Sequence, residues 1–251
     1  MPSLLHQDLG RGPVVVLLHG VGIGPRSFAT LATLLGDGHR VLVVERARRE
    51  GGRALPLREQ VDQLADLLDE VDGVGGRLVG VSGGATLGLL AAMHRPELFT
   101  SYVLHEPLVG RLVPELHDRF AAAAARAAEG LAETMDVVRA VMGERTWEAI
   151  GPDGRSYAIA AVRRWQGEVA EFAAFDPSAA ELAALGATPI LATVGERSDP
   201  LRFQAIDVLV HLARARSAVV AGAGNVPQVD APEAFASVVT AFSPKLTEVA
   251  P

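Results

Sequence analysis

Residues 77–84 read Arg77-Leu78-Val79-Gly80-Val81-Ser82-Gly83-Gly84, and the reading of this stretch decides the fold. Arg77 to Val81 is a short apolar run of the kind that forms a strand buried on both faces. It breaks into Gly80-Val81-Ser82-Gly83-Gly84, a G-x-S-x-G pattern, and a compact apolar helical pattern runs on from Gly84 to His94. In a chain with 26 glycines the pentapeptide alone means little, so its strand–turn–helix setting carries the weight. Such a turn holds the serine in a strained backbone conformation, and the residues two positions either side must be small. The turn lifts the Ser82 hydroxyl above the sheet. It also aims the Gly83 N–H, at a helix N-terminus, toward the place where a substrate oxygen would sit.

Outward from the turn, short apolar runs alternate with longer helical patterns, which predicts a parallel sheet wrapped by helices. The runs are Val14 to Leu18, one within Arg40 to Glu45, Thr100 to His105, Pro189 to Val194 and Ser217 to Val220. Between them, Leu57 to Val71 carries a 3.6-residue stripe of Val61, Leu64, Leu67, Leu68 and Val71, and Pro232 to Phe242 reads as the last helix. The alternation fails from about Leu112 to Leu185. That segment is Ala-rich and charged, with helical spacing over Phe120 to Ala128, Leu131 to Met142 and Ser156 to Phe172. The expected organisation is a core of residues 1–111 and 186–251 with a helical cap of residues 112–185 inserted beside the strand ends.

Composition narrows the function classes. The 251 residues suffice for a sizeable core, and 49% of them are hydrophobic, so a disordered chain is excluded. The formal net charge of −7, with no basic cluster, argues against nucleic acid or an anionic lipid surface as partner. With no cysteine, disulfides, thiolate nucleophiles and Cys-ligated metals are ruled out. No His/Asp/Glu cluster shows metal-ligand spacing, and no cofactor motif stands out. Val15-Val16-Leu17-Leu18-His19-Gly20-Val21-Gly22 is a strand running into a glycine-rich loop, but a dinucleotide fingerprint would need glycine where Pro25 stands. Met1 to Gly10 has neither a basic start nor an apolar core, and no uncharged apolar stretch is long enough to span a bilayer. The expectation is a soluble, cytoplasmic protein with a small-molecule substrate, no cofactor, no metal and no membrane or nucleic-acid partner. Its oligomeric state is not legible.

On these motifs the chain resembles the α/β-hydrolase superfamily from Val14 through Phe242. Val103-Leu104-His105-Glu106-Pro107 and Gly143-Glu144-Arg145-Thr146-Trp147 resemble a subset of small bacterial members with a helical cap. The resemblance implies an α/β fold with a mostly parallel central sheet flanked by helices. It also implies a serine, an acid and a histidine in that chain order. Ser82 is the nucleophile of that scheme, with the N–H groups of Val21 and Gly83 as oxyanion donors. The acid is expected after the strand that follows the cap. There Gly195-Glu196-Arg197-Ser198-Asp199-Pro200 offers Asp199, one residue later than the commonest spacing. Glu106, after the preceding strand, and Glu196 are the alternatives. The histidine belongs after the last strand, in Ala221-Gly222-Ala223-Gly224-Asn225-Val226-Pro227, and the slot holds Asn225.

An amide side chain cannot take a proton near neutral pH, so Asn225 keeps the place of an imidazole without its basicity. His105, at the end of a central strand, is the replacement base to consider. Three readings stay open: a His→Asn variant of an ordinary hydrolase, a non-hydrolytic cyclase, lyase or isomerase, and a ligand-binding receptor-like protein. The implied classes of hydrolysis are ester, lactone, thioester and C–C bond cleavage. Trp147 and Trp165 are the aromatics expected to reach a pocket for a small, mainly apolar substrate.

Overall fold

The structure is a computed structural model that describes residues 4–46, 54–72 and 74–242; the first residues of the Met1–Gly10 stretch lie outside these. In chain order the strands are β1 (Leu5–Leu9), β2 (Val14–Leu18), β3 (Arg40–Val44), β4 (Gly76–Val81), β5 (Phe99–His105), β6 (Ile190–Gly195) and β7 (Arg216–Val220). They form one seven-stranded sheet in the order β1-β3-β2-β4-β5-β6-β7. Every neighbouring pair is parallel except β1 with β3. Six strands lie within a residue or two of the apolar runs. β1 was not foreseen: His6, Gln7 and Asp8 are exposed, so an edge strand without buried alternation gives no periodic signal. Its pairing, with Leu9 opposite Val41, is what makes it a strand.

Strand alternation divides the core. Val15, Leu17, Val41, Val43, Val79 and Val81 face one layer, with α1 (Ala29–Gly36) and α12 (Pro232–Ala241) packed on it. Val16, Leu18, Leu42, Val44, Leu78 and Leu104 face the other, covered by α2 (Leu57–Glu70), α3 (Gly83–His94) and α10 (Pro200–Leu212). Side chains alternate across a strand, so a stretch buried on both faces is apolar throughout, as 15–18, 41–44 and 78–81 are.

Between β5 and β6 the chain is helical: α4 (Pro114–Ala128), α5 (Leu131–Met142), α6 (Glu144–Ala149), α7 (Gly151–Ala160), α8 (Val162–Ala173) and α9 (Ala179–Ala183). The pattern expected as one helix over 156–172 is two, broken at Ala161. The break lets Tyr157 on α7 and Arg164 on α8 converge on the same carboxylate, Glu45. A last short helix, α11 (Pro227–Asp230), precedes α12. Among the described residues no helix is long and apolar enough to cross a membrane.

Candidate active site

Parallel strands direct all their C-terminal ends to one edge of the sheet, and the singled-out residues that gather there are those on the loops leaving β2, β4, β5, β6 and β7. Ser82 follows β4 with φ 51° and ψ −117°, a conformation that costs a non-glycine residue about 1–3 kcal/mol. The flanking glycines pay for close approach. A Cβ at Gly80 would fall 2.5 Å from the Gly84 carbonyl oxygen, and one at Gly84 would fall 2.1 Å from that of Leu18. The Ser82 N–H donates to the His105 carbonyl at 2.8 Å, which ties the turn to the end of β5. Among the described residues, Ser82 Oγ makes no hydrogen bond.

Over Ser82 lies a small apolar space of about 20 Å³, room for about one water. Val21 and Gly83 form part of its floor, and the helical insertion supplies the roof through Phe120, Val138, Val141 and Phe172. Phe172 presses so near the turn that a Cβ on Gly83 would meet its ring at 2.8 Å. A larger cleft of about 460 Å³ shares the wall of Phe120, Ala123 and Val141, and it reaches Glu106 and Asn225. Arg119, Arg145, Arg197 and Arg202 line it beside Glu144, Asp199 and Asp230. The sequence suggested no such cluster, because these arginines lie on separate elements.

Glu106 is buried at the end of β5, with φ 52°. Its carboxylate accepts from Gly195 N–H at 3.1 Å, from Ser198 Oγ, and from Asn225 Nδ2 at 2.9 Å. His105 Nε2 stands 3.3 Å from one oxygen and Arg202 Nε 3.6 Å from the other. Burial pushes the Glu106 carboxyl up, yet His105, Arg202 and the Asn225 hydrogen bond together hold it well below the usual carboxylate range. It is therefore an ion that organises the loops after β6 and β7.

Asp199 is placed differently. It caps α10 by accepting from Leu201 N–H at 2.9 Å and pairs with Arg119 at 2.7 Å, with roughly half of its side chain exposed. The Leu201 N–H and Arg119 hold its carboxyl below the ordinary value. Among the described residues it makes no hydrogen bond to Asn225. The one-residue offset in spacing has its physical counterpart here, because Ser198, not Asp199, turns toward Glu106. Glu196 accepts from Gly222 N–H at 2.8 Å, outside this cluster.

His105 is fully buried, with Nδ1 3.0 Å from Thr193 Oγ1 and Nε2 donating to the Gly224 carbonyl at 3.0 Å. Both ring nitrogens are thus engaged away from Ser82. Trp147 and Trp165 do not line the space over Ser82. Trp165 is fully buried, donates Nε1–H to the Ala158 carbonyl at 3.0 Å, and packs with Ile23, Val138, Met142 and Val226. Trp147 lies under the Arg139 guanidinium at 5.9 Å. The wall is Phe120 and Phe172 instead, two residues whose helical spacing looks like ordinary core.

Comparison with known proteins agrees with this geometry. Residues 15–238 match the alpha/beta hydrolase family. No curated protein matches the chain in sequence. Among solved structures, the chain is similar to an alpha/beta hydrolase enzyme from a Medee basin deep-sea metagenome library (TM-score 0.75, 19% identity, 95% of this chain and 92% of that one). It is similar to an enol-lactonase from Burkholderia xenovorans (0.73, 17%, 94% of each chain). It is also similar to a carboxylesterase from Bacillus subtilis (0.71, 18%, 94% of this chain and 85% of that one). At these identities the structural likeness speaks for the fold. With the family match spanning nearly the whole sheet and its strand–turn–helix at Ser82, the chain belongs to the alpha/beta hydrolase family, an enzyme of the hydrolase class.

Proposed function

We propose that the protein is a serine hydrolase-type enzyme for an ester, lactone, thioester or C–C bond of a small, mainly apolar molecule, with its general base replaced by Asn225. The observation that carries the reading is the strained Ser82 beneath an apolar roof, beside a buried carboxylate already bonded to Asn225. The helical insertion of residues 112–185 acts as the cap that supplies this roof. Ser82 Oγ attacks the carbonyl carbon, and the N–H groups of Val21 and Gly83 stabilise the developing oxyanion. Glu106, not Asp199, takes the acid's place, since it holds the side chain in the histidine slot.

The weak link is the proton. A histidine at 225 would donate one ring N–H to Glu106 and offer its other nitrogen to Ser82. The amide repeats the first bond and cannot supply the second. The expected consequence is turnover lowered by on the order of a million-fold against a histidine-bearing enzyme. The enol-lactonase and carboxylesterase likenesses favour an acyl substrate. One observation favours a second reading, non-hydrolytic chemistry: both nitrogens of His105 are engaged elsewhere, and among the described residues no histidine hydrogen-bonds Ser82 Oγ or lines the space over it.

Hydrolysis of a short p-nitrophenyl ester tests the proposal, comparing the chain as it is with Asn225→His and with Asn225→His/Ser82→Ala. A gain of several orders of magnitude in Asn225→His, abolished in the double variant, supports it. A folded Asn225→His protein with no gain refutes it and turns attention to chemistry without a serine nucleophile.

A further inference from the structure

The Gly20 carbonyl and the Val21 N–H belong to one peptide unit. That unit is planar and trans, so its C=O and N–H point in opposite directions, and whatever holds the oxygen aims the N–H. Two donors hold it: His19 Nδ1 at 2.9 Å and Arg46 Nη2 at 3.0 Å. Arg46 leaves β3 and is buried. The same Nη2 donates to Glu168 Oε2 on α8 at 2.6 Å, and Arg164 Nε holds the other Glu168 oxygen at 2.8 Å. The Arg46 guanidinium also stands over the Phe172 ring at 5.6 Å, the ring that backs Gly83. One buried cation therefore bears on both N–H donors over Ser82.

Stability does not account for this arrangement. A buried ion pair returns little net stability compared with apolar packing. Here, among the described residues, Arg46 Nε and Nη1 and Arg164 Nη2 have no hydrogen-bond partner at all. What the cluster supplies is geometry, across 122 residues of sequence between Arg46 and Glu168.

We propose that Arg46, locked by Glu168, is a positioning residue for the oxyanion hole, so that the helical insertion sets the aim of the Val21 N–H. The inference rests on the reading of Val21 and Gly83 as oxyanion donors. Two readouts test it: the Val21 amide resonance in a ¹H–¹⁵N spectrum of the chain as it is, and kcat against KM for a p-nitrophenyl ester in the Asn225→His background. Arg46→Met is expected to move the Val21 resonance and to lower kcat by about 10- to 100-fold, a fraction of what a lost oxyanion donor costs, with KM nearly unchanged. Arg46→Lys, a single point charge in place of a fork, recovers part of the loss, and Glu168→Gln falls between. If Arg46→Met does not fold, Arg46→Lys and Glu168→Gln carry both readouts.

A folded variant with an unmoved Val21 amide, or with unchanged kcat in the active background, overturns the inference. A purely structural cluster would lower the melting temperature alone. Should Asn225→His show no Ser82-dependent turnover, the hydrolase reading fails by itself, and the amide resonance still decides whether Arg46 aims the peptide.

Discussion

Replacing Glu106 by Gln separates the two carboxylates that compete for the acid's place, and it does so without any assay of activity. In the structure the buried Glu106 answers three donors and faces the buried Arg202 at 3.6 Å. Gln keeps one carbonyl acceptor and the shape. It loses the charge opposite Arg202 and one of two acceptor oxygens. Breaking a buried ion pair from one side costs about 3–5 kcal/mol, and the retained carbonyl offsets a part, so about 3 kcal/mol is expected. Asp199→Asn keeps the helix cap, at which Asn serves as well as Asp, and loses a half-exposed pair with Arg119, so the cost is at most about 1 kcal/mol. Urea unfolding measures both; for a chain of this size 3 kcal/mol is a fall of roughly 6–12 °C in Tm.

Acidity adds a second signature. The folded pKa of Glu106 lies below its unfolded value. Its stabilising contribution is therefore complete above the unfolded value of about 4.3 and drains away as the pH falls toward the folded pKa. Glu106→Gln should be less sensitive to pH in that acid window than the parent chain. Equal costs at 106 and 199, or a neutral Glu106→Gln, would refute the assignment of Glu106 as the buried organiser. In the Asn225→His background, Glu106→Gln is further expected to lower kcat by about 10⁴-fold, and Asp199→Asn to leave it within a few-fold.

Ser82→Gly should raise stability by about 1 kcal/mol, because relief of the strained backbone exceeds the added chain entropy; Ser82→Ala, which keeps the strain, should not, and thermal unfolding of the pair checks this. Gly84→Ala should cost about 3 kcal/mol or prevent folding, since backbone rather than a movable side chain blocks its Cβ. Phe172→Ala removes the roof over Ser82 at a cost of about 3–5 kcal/mol. In the Asn225→His background it should shift preference toward longer acyl chains, read from a p-nitrophenyl ester series; an unchanged chain-length profile would mean that Phe172 does not bound the pocket.

Legibility in the sequence followed the range of the interactions. The strand–turn–helix at Ser82 was readable because its glycines, apolar run and helix are contiguous, and the sterics that require them act within a few residues. β2 to β6 were readable because burial on both faces leaves them largely apolar, and β7 through its short Ala218-Val219-Val220 run although most of it is exposed. β1 was not, since its strand character comes from pairing with β3 and its side chains are exposed. The position that the family resemblance assigns to a histidine could be located from the loop around Asn225, and the lack of basicity there is a property of the amide itself.

Which carboxylate meets Asn225 was decided only in three dimensions. β5 lies between β4 and β6, so the end of β5 puts Glu106 beside Ser82 on one side and the loops after β6 and β7 on the other. Asp199, closer to the expected spacing, starts α10 and turns outward to Arg119. The roof of Phe120 and Phe172, the arginine-lined cleft and the Arg46–Glu168 lock arise in the same way. Each joins residues far apart in the chain, and sequence periodicity records which face of an element is buried but not what it is buried against.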